Sequence, residues 1–225
     1  MYVLKKEYVV LGIFVLLLIT SGFWLFLIVD EYGKAAREYE ELQEYVDDSL
    51  KKEREETEDE EGEKPQKASI DFQALKEINP DIVAWIRVPE LFDYPVVQGE
   101  DNQYYLSHTF RKESNIAGSI FLDYRNSRDF TDSKNIIYGH NMKDGSMFHV
   151  LRKFQDMDFY NKHREILLYL PDGSTQIYKI VGYEEVKATG EVYEIENEKT
   201  DEKEIILSTC SSQSYRRVIV KGKIK

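Results

Sequence analysis

The 225 residues suffice for one globular domain with accessory segments, because single domains commonly contain about 100–200 residues. The formal net charge of −12 is concentrated between Glu38 and Lys64, where fourteen acidic residues accompany four basic ones. The rest of the chain is nearly neutral and has no basic stripe with interleaved aromatic residues, which argues against nucleic-acid binding. The single cysteine excludes an intramolecular disulfide, so the fold depends on its own core.

Near the amino terminus, residues 8–29 form an uncharged apolar run, longer than the roughly 20 residues that a helix needs to cross a bilayer. No small-residue cleavage site of the A-x-A kind follows it, so a transmembrane helix is favoured over a cleaved signal peptide. Two lysines precede the run and two acidic residues follow it. The positive-inside rule therefore predicts that residues 1–7 are a cytoplasmic tail and that the rest lies outside the cell membrane.

Residues 30–69 are interpreted as a helical stalk followed by an acidic linker. Apolar residues recur in the stalk at spacings of three and four, which indicates one stripe on a helix: Ala35, Tyr39, Leu42, Val46 and Leu50. This stripe is expected either to pair weakly with a second copy or simply to belong to a helical stalk. The following segment, KKEREETEDEEGEKPQK, lacks apolar residues and is predicted to be a solvated linker.

The globular domain is predicted to span residues 70–225. Asp71 can cap a short helix, DFQALKEIN, that ends before Pro80, and further short helices are predicted in NQYYLSH and from Met147 to Asn161. Eight segments have strand character, namely IVAWIRV, YPVVQ, GSIFLDY, NIIYG, EILLYL, TQIYKIVGYEEV, EIILSTC and RVIVKGKI. Many short strands with little helix predict a mainly β (α+β) fold, an antiparallel sheet or a closed or nearly closed β-barrel with short helices.

Two of these strands end at residues that could perform chemistry. NIIYG leads into His140, within a loop rich in Asn, Asp and Gly, and EIILSTC ends at Cys210. A thiol has a reference pKa of about 8.5, and a neighbouring histidine is the usual means of activating it. His140 and Cys210 are therefore the predicted catalytic pair, whereas a buried cysteine that only packs is the alternative.

The other three histidines have ordinary explanations. His108 ends a predicted helix, where a histidine is favourable through the helix dipole. His149 and His163 lie in helical or turn contexts without a neighbouring glycine, and are interpreted as surface or packing residues.

An oxyanion that forms at an attacked carbonyl also needs a stabilising group. Arg216 and Arg217 begin the strand that should return beside EIILSTC. Since successive strand residues point to opposite sides, only one of the two can share the side of Cys210, and Arg217 is the predicted one. A surface charge on an edge strand is the alternative for either arginine.

Together, the LSTC segment, the following arginine and the upstream YGHN resemble the sortase transpeptidases. The similarity is greatest to class B sortases, through INPDIVAWIRVP, YPVVQGEDNQYYLSHTF, AGSIFLDYRN and IIYGHNMKDGSMF, and it runs from about residue 70 to the end of the chain. It implies an eight-stranded sortase barrel, preceded by a membrane helix, in a Gram-positive type of envelope.

By this resemblance, Cys210 would attack a threonine carbonyl in the sorting motif of a secreted protein, and His140 would act as general acid and base. Arg217 would hold the motif and stabilise the oxyanion, while Asn102, Leu106 and Ser208 match substrate-groove positions. A peptidoglycan precursor amine or a pilin lysine would accept the acyl group. The resemblance implies no metal and no cofactor. Two other functions remain open, namely a membrane-tethered cysteine protease that uses water, and a non-enzymatic surface adaptor with a buried cysteine.

Overall fold

The computed structural model describes residues 2–46, 70–195, 202–210 and 215–225. The helices of this part are α1 (Tyr2–Leu42), α2 (Phe72–Ile78) and α3 (Met157–Lys162), with a 3₁₀-helix at Phe148–Gln155. The strands are β1 (Ile82–Val88), β2 (Phe92–Val97), β3 (Ile120–Leu122), β4 (Lys134–Tyr138), β5 (Glu165–Tyr169), β6 (Thr175–Lys187), β7 (Glu204–Cys210) and β8 (Arg216–Ile224).

The eight strands close into a barrel with the order β1-β2-β3-β4-β7-β8-β6-β5, and β5 pairs with β1 to complete it. Each strand coincides, within a few residues at its ends, with one of the eight predicted segments, so the predicted barrel is confirmed. Two neighbouring pairs, β2–β3 and β4–β7, are parallel, which departs from an all-antiparallel arrangement. The parallel pair β4–β7 matters for function, because it places two strand ends at the same edge.

The alternation of side chains along β7 separates the barrel interior from a second apolar surface. Ile205 and Leu207 belong to the main core, whereas Ile206 packs with Ile136 and Ile219 in a small cluster on the other side of the sheet. That cluster is covered by partly buried residues of the chain between β6 and β7, among them Tyr193. The outer face of β4, β7 and β8 is therefore partly covered by the segment between β6 and β7.

The predicted short helices differ in how much of each forms. Asp71 caps α2 as predicted, since its Oδ1 accepts a hydrogen bond from the Ala74 amide at 2.9 Å. The predicted helix NQYYLSH is reduced to one 3₁₀ turn at Tyr104–Leu106. The predicted helix from Met147 to Asn161 is divided into the 3₁₀-helix and α3, because Asp156 accepts hydrogen bonds from the amides of residues 158 and 159 and starts a new helix.

Helix α1 carries the predicted membrane segment. Its residues from Tyr8 to Val29 are exposed, and by length and composition it includes a stretch able to cross a membrane. An exposed apolar helix of this kind is consistent with a single-pass membrane anchor.

The carboxy-terminal part of α1 packs on the barrel. Ala35, Tyr39, Leu42 and Val46 are buried in the same core cluster as the barrel residues. The Tyr39 hydroxyl donates to the Gly118 carbonyl at 2.8 Å. The described part of the stripe, from Ala35 to Val46, is thus covered by the barrel of the same chain rather than by a second copy.

Further contacts fix the two ends of this docked segment. Glu31, two residues beyond the apolar run, accepts a hydrogen bond from the Ile116 amide at 3.1 Å. At the other end Val46 forms an antiparallel bridge with Ile70, and the Asp71 amide donates to the Tyr45 carbonyl at 3.0 Å. Leu50 of the predicted stripe and the predicted acidic linker lie outside the described residues.

Candidate active site

The first predicted catalytic residue, His140, follows the end of β4 by two residues. Gly139 precedes it and donates its amide to the Ser208 carbonyl of β7 at 3.1 Å. A Cβ atom on Gly139 would lie 2.4 Å from the Ile120 side chain and 2.8 Å from the Phe148 ring, so only glycine fits there without displacing its neighbours. The backbone that precedes His140 is thus packed against core side chains and hydrogen-bonded to β7.

The imidazole of His140 is held by a backbone carbonyl. Its Nε2 lies 2.6 Å from the Leu106 oxygen, and because a carbonyl can only accept, Nε2 carries the proton. The His140 carbonyl in turn accepts from the Phe148 amide at 2.9 Å. The side chain is partly exposed, which leaves it accessible from solvent.

Cys210 lies at the corresponding edge of the next strand. The parallel register pairs Tyr138 of β4 with Ser208 of β7, and the Gly139 amide donates to the Ser208 carbonyl. His140 and Cys210 each follow this last pair by two residues, at the same end of the two parallel segments. On its other side β7 pairs with β8, and there Cys210 is directly opposite Arg217. Three adjacent strands therefore bring the three predicted catalytic positions to one edge of the barrel.

The two arginines of β8 occupy different environments. Arg216 is bound to β6, where its guanidinium donates to the Glu185 carbonyl at 2.5 Å and forms an ion pair with the Glu185 carboxylate at 3.4 Å. Arg217 is partly exposed, and its Nη1 donates to the Arg216 carbonyl at 3.1 Å. Directly paired positions share one side of an antiparallel sheet, so position 217, and not 216, belongs to the side of position 210.

The predicted groove residues have different environments. Leu106 is partly exposed and supplies the carbonyl that holds His140. Ser208 is buried, and its hydroxyl is 2.8 Å from the hydroxyl of Tyr193 in the segment between β6 and β7. Asn102 lies further along the same surface, with its amide nitrogen 3.0 Å from Asp123 Oδ2.

Three residues near the groove were not among the predicted site residues, namely Asp123, Tyr138 and Tyr193. Asp123 is fully buried and accepts hydrogen bonds from Tyr138 and Asn102. The Tyr138 ring stacks on the Tyr193 ring, with centroids 6.2 Å apart and planes 18° apart. The position of Tyr138 two residues before His140 on a strand was the available signal, since alternate strand residues share one side of a sheet.

The remaining histidines have structural environments. His108 stacks on Tyr104 at 4.1 Å, and its Nδ1 lies 2.8 Å from the Tyr104 carbonyl oxygen. His163 is buried against Phe159, with ring centroids 4.5 Å apart, and burial lowers its pKa below the usual range. The third, His149, is partly exposed, although its Nδ1 atom is buried.

Comparison with known proteins identifies the family to which this eight-stranded barrel belongs. The sortase domain model matches residues 86–225. The chain is 40% identical to sortase B of Listeria monocytogenes over 154 residues, which cover 66% of this chain and 61% of that protein. The crystal structure of sortase B from Bacillus anthracis aligns with a TM-score of 0.69 and 28% identity, covering 88% of this chain and 99% of that one.

A class B sortase of Streptococcus pyogenes involved in pilus biogenesis aligns with a TM-score of 0.63 and 30% identity, covering 69% of this chain and 98% of that one. The matched family model spans more than half of the chain, and the chain belongs to the sortase family. Its relatives place it more narrowly, since both the curated protein and the solved structures that it resembles are class B sortases.

Proposed function

We propose that this protein is a membrane-anchored cysteine transpeptidase that joins secreted proteins to an amine at the outer surface of the cell. The observation that carries the proposal is the register of three adjacent strands. The parallel β4–β7 pair and the antiparallel β7–β8 pair bring positions 140, 210 and 217 to one edge of the barrel. Membership of the sortase family supports a cysteine-based acyl transfer at this edge.

In the proposed reaction His140 takes the proton of the Cys210 thiol, and the resulting thiolate attacks the carbonyl carbon of a threonine in the sorting motif. The carbon–nitrogen bond of the following peptide bond breaks, the leaving amine takes a proton from His140, and a thioester remains. An incoming amine then attacks the thioester and loses a proton to His140, so that an amide forms and the thiolate is released. Arg217 stabilises the negative oxygen of both tetrahedral intermediates.

The substrate peptide is proposed to lie along the surface formed by Asn102, Leu106 and Ser208. Asn102 is partly exposed, and Leu106 is exposed and in contact with His140 through its carbonyl oxygen. Ser208 lies two residues before the cysteine on β7, on the same side of the sheet. These residues belong to separate elements that meet only in the folded barrel.

The anchor and the acceptor complete the proposal. Residues 8–29 would cross the membrane with residues 1–7 in the cytoplasm, which leaves the barrel on the extracellular face. The acceptor would be a peptidoglycan precursor amine or a lysine of a pilin. The Streptococcus pyogenes relative involved in pilus biogenesis supports the inclusion of the second.

The experiment uses the full-length chain in detergent micelles with a library of short threonine-containing peptides and a soluble amine such as triglycine. Wild type should form a thioester at Cys210 and an amide product, both identified by mass spectrometry. Cys210→Ala should fold normally and form neither. An active alanine variant would refute the assignment of the nucleophile, and hydrolysis without amide formation at high amine concentration would instead support a protease.

A further inference from the structure

One buried carboxylate lies behind the candidate substrate surface and is not part of the reaction described above. Asp123 is the first residue after β3, and its side chain has no solvent exposure. Transfer of a charged carboxylate into a protein interior is unfavourable unless hydrogen bonds and an opposite charge replace the lost water. The partners of Asp123 therefore show what this buried charge holds in place.

Both oxygens of Asp123 accept hydrogen bonds from several donors. Oδ1 accepts from the Arg125 amide at 3.0 Å and from Arg125 Nε at 2.8 Å. Oδ2 accepts from Arg125 Nη2 at 2.7 Å, from the Tyr138 hydroxyl at 2.9 Å and from the Asn102 side-chain amide at 3.0 Å. Although burial alone raises the pKa of Asp123, the side-chain and backbone hydrogen bonds of Arg125, together with those of Tyr138 and Asn102, bring it below the usual range.

Each partner belongs to a different part of the candidate groove. Asn102 precedes the 3₁₀ turn whose last residue, Leu106, supplies the carbonyl that holds His140. Tyr138 is the last residue of β4, two positions before His140. One carboxylate oxygen therefore joins a proposed substrate residue to the strand that delivers the proposed acid and base.

The third partner extends the connection to the segment that covers the groove. Arg125 Nη2 also donates to the Tyr193 carbonyl at 3.2 Å. Tyr193 stacks on Tyr138 and places its hydroxyl 2.8 Å from that of Ser208. Asp123 and Arg125 thus connect the floor of the groove, formed by β4 and β7, to the chain segment above it.

We propose that Asp123 is a positioning residue that strengthens substrate binding at this site by fixing Asn102, Tyr138 and, through Arg125, the segment of Tyr193 relative to one another. The inference rests on the proposed transpeptidase function for its kinetic consequence. The sorting peptide would enter a groove whose two sides are held at a fixed separation by one buried charge. Loss of that charge would loosen substrate binding before it affected the chemical step.

A second buried carboxylate provides a matched control. Asp132 is also almost fully buried, and accepts hydrogen bonds from Asn126 and Ser127 near the opposite end of β4. Asp123→Asn and Asp132→Asn each replace a carboxylate by an amide of the same shape. In both variants the new amide nitrogen faces hydrogen-bond donors of the neighbouring residues. Asp123→Asn also removes the carboxylate that pairs with Arg125, so the unfolding temperature of each variant is measured and the kinetics are compared where both are folded.

The test compares both variants with wild type as full-length chains in detergent micelles, well below their unfolding temperatures. The probe is the best threonine-containing peptide found in the library with triglycine as acceptor. Asp123→Asn should raise KM at least tenfold while kcat changes less than threefold, and Asp132→Asn should leave KM within threefold. Equal effects of the two variants, or an unchanged KM in Asp123→Asn, would overturn the proposal.

Hydrogen–deuterium exchange tests the same connection without relying on activity. Amides of residues 100–106 and 188–195 should exchange faster in Asp123→Asn and at the wild-type rate in Asp132→Asn. An inactive wild type would contradict the proposed function, whereas unchanged exchange in both segments would contradict the positioning role.

A variant pair keeps the proposal testable if Asp123→Asn does not fold. Asn102→Ala and Tyr138→Phe each remove one donor to the same oxygen, so their effects on KM should be non-additive by at least threefold in the double variant. Faster exchange of residues 188–195 in Tyr138→Phe should accompany this coupling. Additive effects with unchanged exchange would show that the two donors act independently and would refute the inference.

Discussion

Replacing Arg217 and Arg216 by alanine, one at a time, provides a direct test of which guanidinium serves the reaction. The two residues are adjacent and carry the same charge, so a general change in the electrostatics of the strand affects both variants alike. Their environments differ. The Arg216 side chain is bound to Glu185 of β6, whereas Arg217 occupies the strand position directly opposite Cys210 of β7. A difference in activity therefore reports position rather than charge.

The expected magnitudes follow from those contacts. Removal of one donor from an oxyanion site lowers kcat by about 10²–10³, or about 2.7–4 kcal/mol of transition-state stabilisation. The Arg216–Glu185 pair joins side chains that are each about one-third exposed, and such a pair contributes about 0–1 kcal/mol to stability. Arg217→Ala should thus lose about 10²-fold or more in kcat, and Arg216→Ala should stay within about threefold of wild type.

The assay is steady-state transfer of the library peptide to triglycine by the full-length chain, with thermal unfolding recorded for each variant. Arg217→Lys adds a graded test, because lysine keeps the charge but lacks the planar fork of donors, and should recover only part of the loss. The reasoning is refuted if Arg216→Ala is the more damaging variant, or if Arg217→Ala retains one third or more of wild-type kcat.

Three further variants test other parts of the structure. Leu42→Ala truncates a fully buried side chain at the end of α1 and should lower the free energy of unfolding by about 2–5 kcal/mol in urea titrations. The control Val181→Ala, at a position 43% exposed, should change it by less than about 0.5 kcal/mol, and equal losses would contradict the docking of α1. Gly139→Ala should reduce kcat/KM by up to about 100-fold, since its Cβ would come within 2.4 Å of a core side chain. The control Gly182→Ala, whose Cβ would have no atom within 4 Å, should leave transfer kinetics unchanged, and full activity of Gly139→Ala would show that the close packing at Gly139 is unnecessary. Burial lowers the pKa of His163, so the unfolded chain binds a proton at this residue at higher pH than the folded chain does. The resulting contribution to the free energy of unfolding is complete above about pH 6.5 and is lost as the pH falls through the pKa of the folded state. His163→Gln should therefore flatten the rise in the free energy of unfolding between about pH 5 and 7, and an unchanged slope would exclude this contribution.

Most of the barrel could be predicted from the sequence because its strands are short, rich in β-branched residues and bounded by turns. The segments IVAWIRV and EIILSTC coincide with β1 and β7 residue for residue. The cap of α2 was equally legible, since Asp71 directly precedes the helix that it caps. Strand order and the two parallel pairs could not be derived in this way, because they depend on contacts between residues far apart in the chain.

The candidate site was predictable in part for the same reason. His140 and Cys210 were recognisable as reactive residues at strand ends, but only the register of β4 and β7 makes those ends adjacent. Asp123 carried no signal of its own, since its partners lie 2, 15 and 21 residues away along the chain. A buried carboxylate is defined by its surroundings, and these are a property of the folded barrel.

The apolar stripe of α1 shows a different limit. Its spacing correctly indicated a helix with one apolar side, but the periodicity does not state what covers that side. In the structure it is the barrel of the same chain, through residues such as Tyr39 and Leu42. Weak self-association and a simple helical stalk were the two interpretations that the sequence allowed.

The bridge between Val46 and Ile70 makes the position of the barrel relative to α1 independent of the length of residues 47–69. Val46 and Ile70, which flank residues 47–69, are paired with each other, so doubling the length of the segment between them would cost only about 0.6 kcal/mol in closure entropy. In the proposed membrane-anchored enzyme, it would not change the distance between the barrel and the lipid. In the proposed membrane-anchored enzyme, the distance between the barrel and the lipid is set instead by α1, which rises about 1.5 Å per residue from the end of the apolar run to its contact at Glu31. A substrate of that enzyme would accordingly be presented at one constant distance from the membrane, whatever the length of residues 47–69.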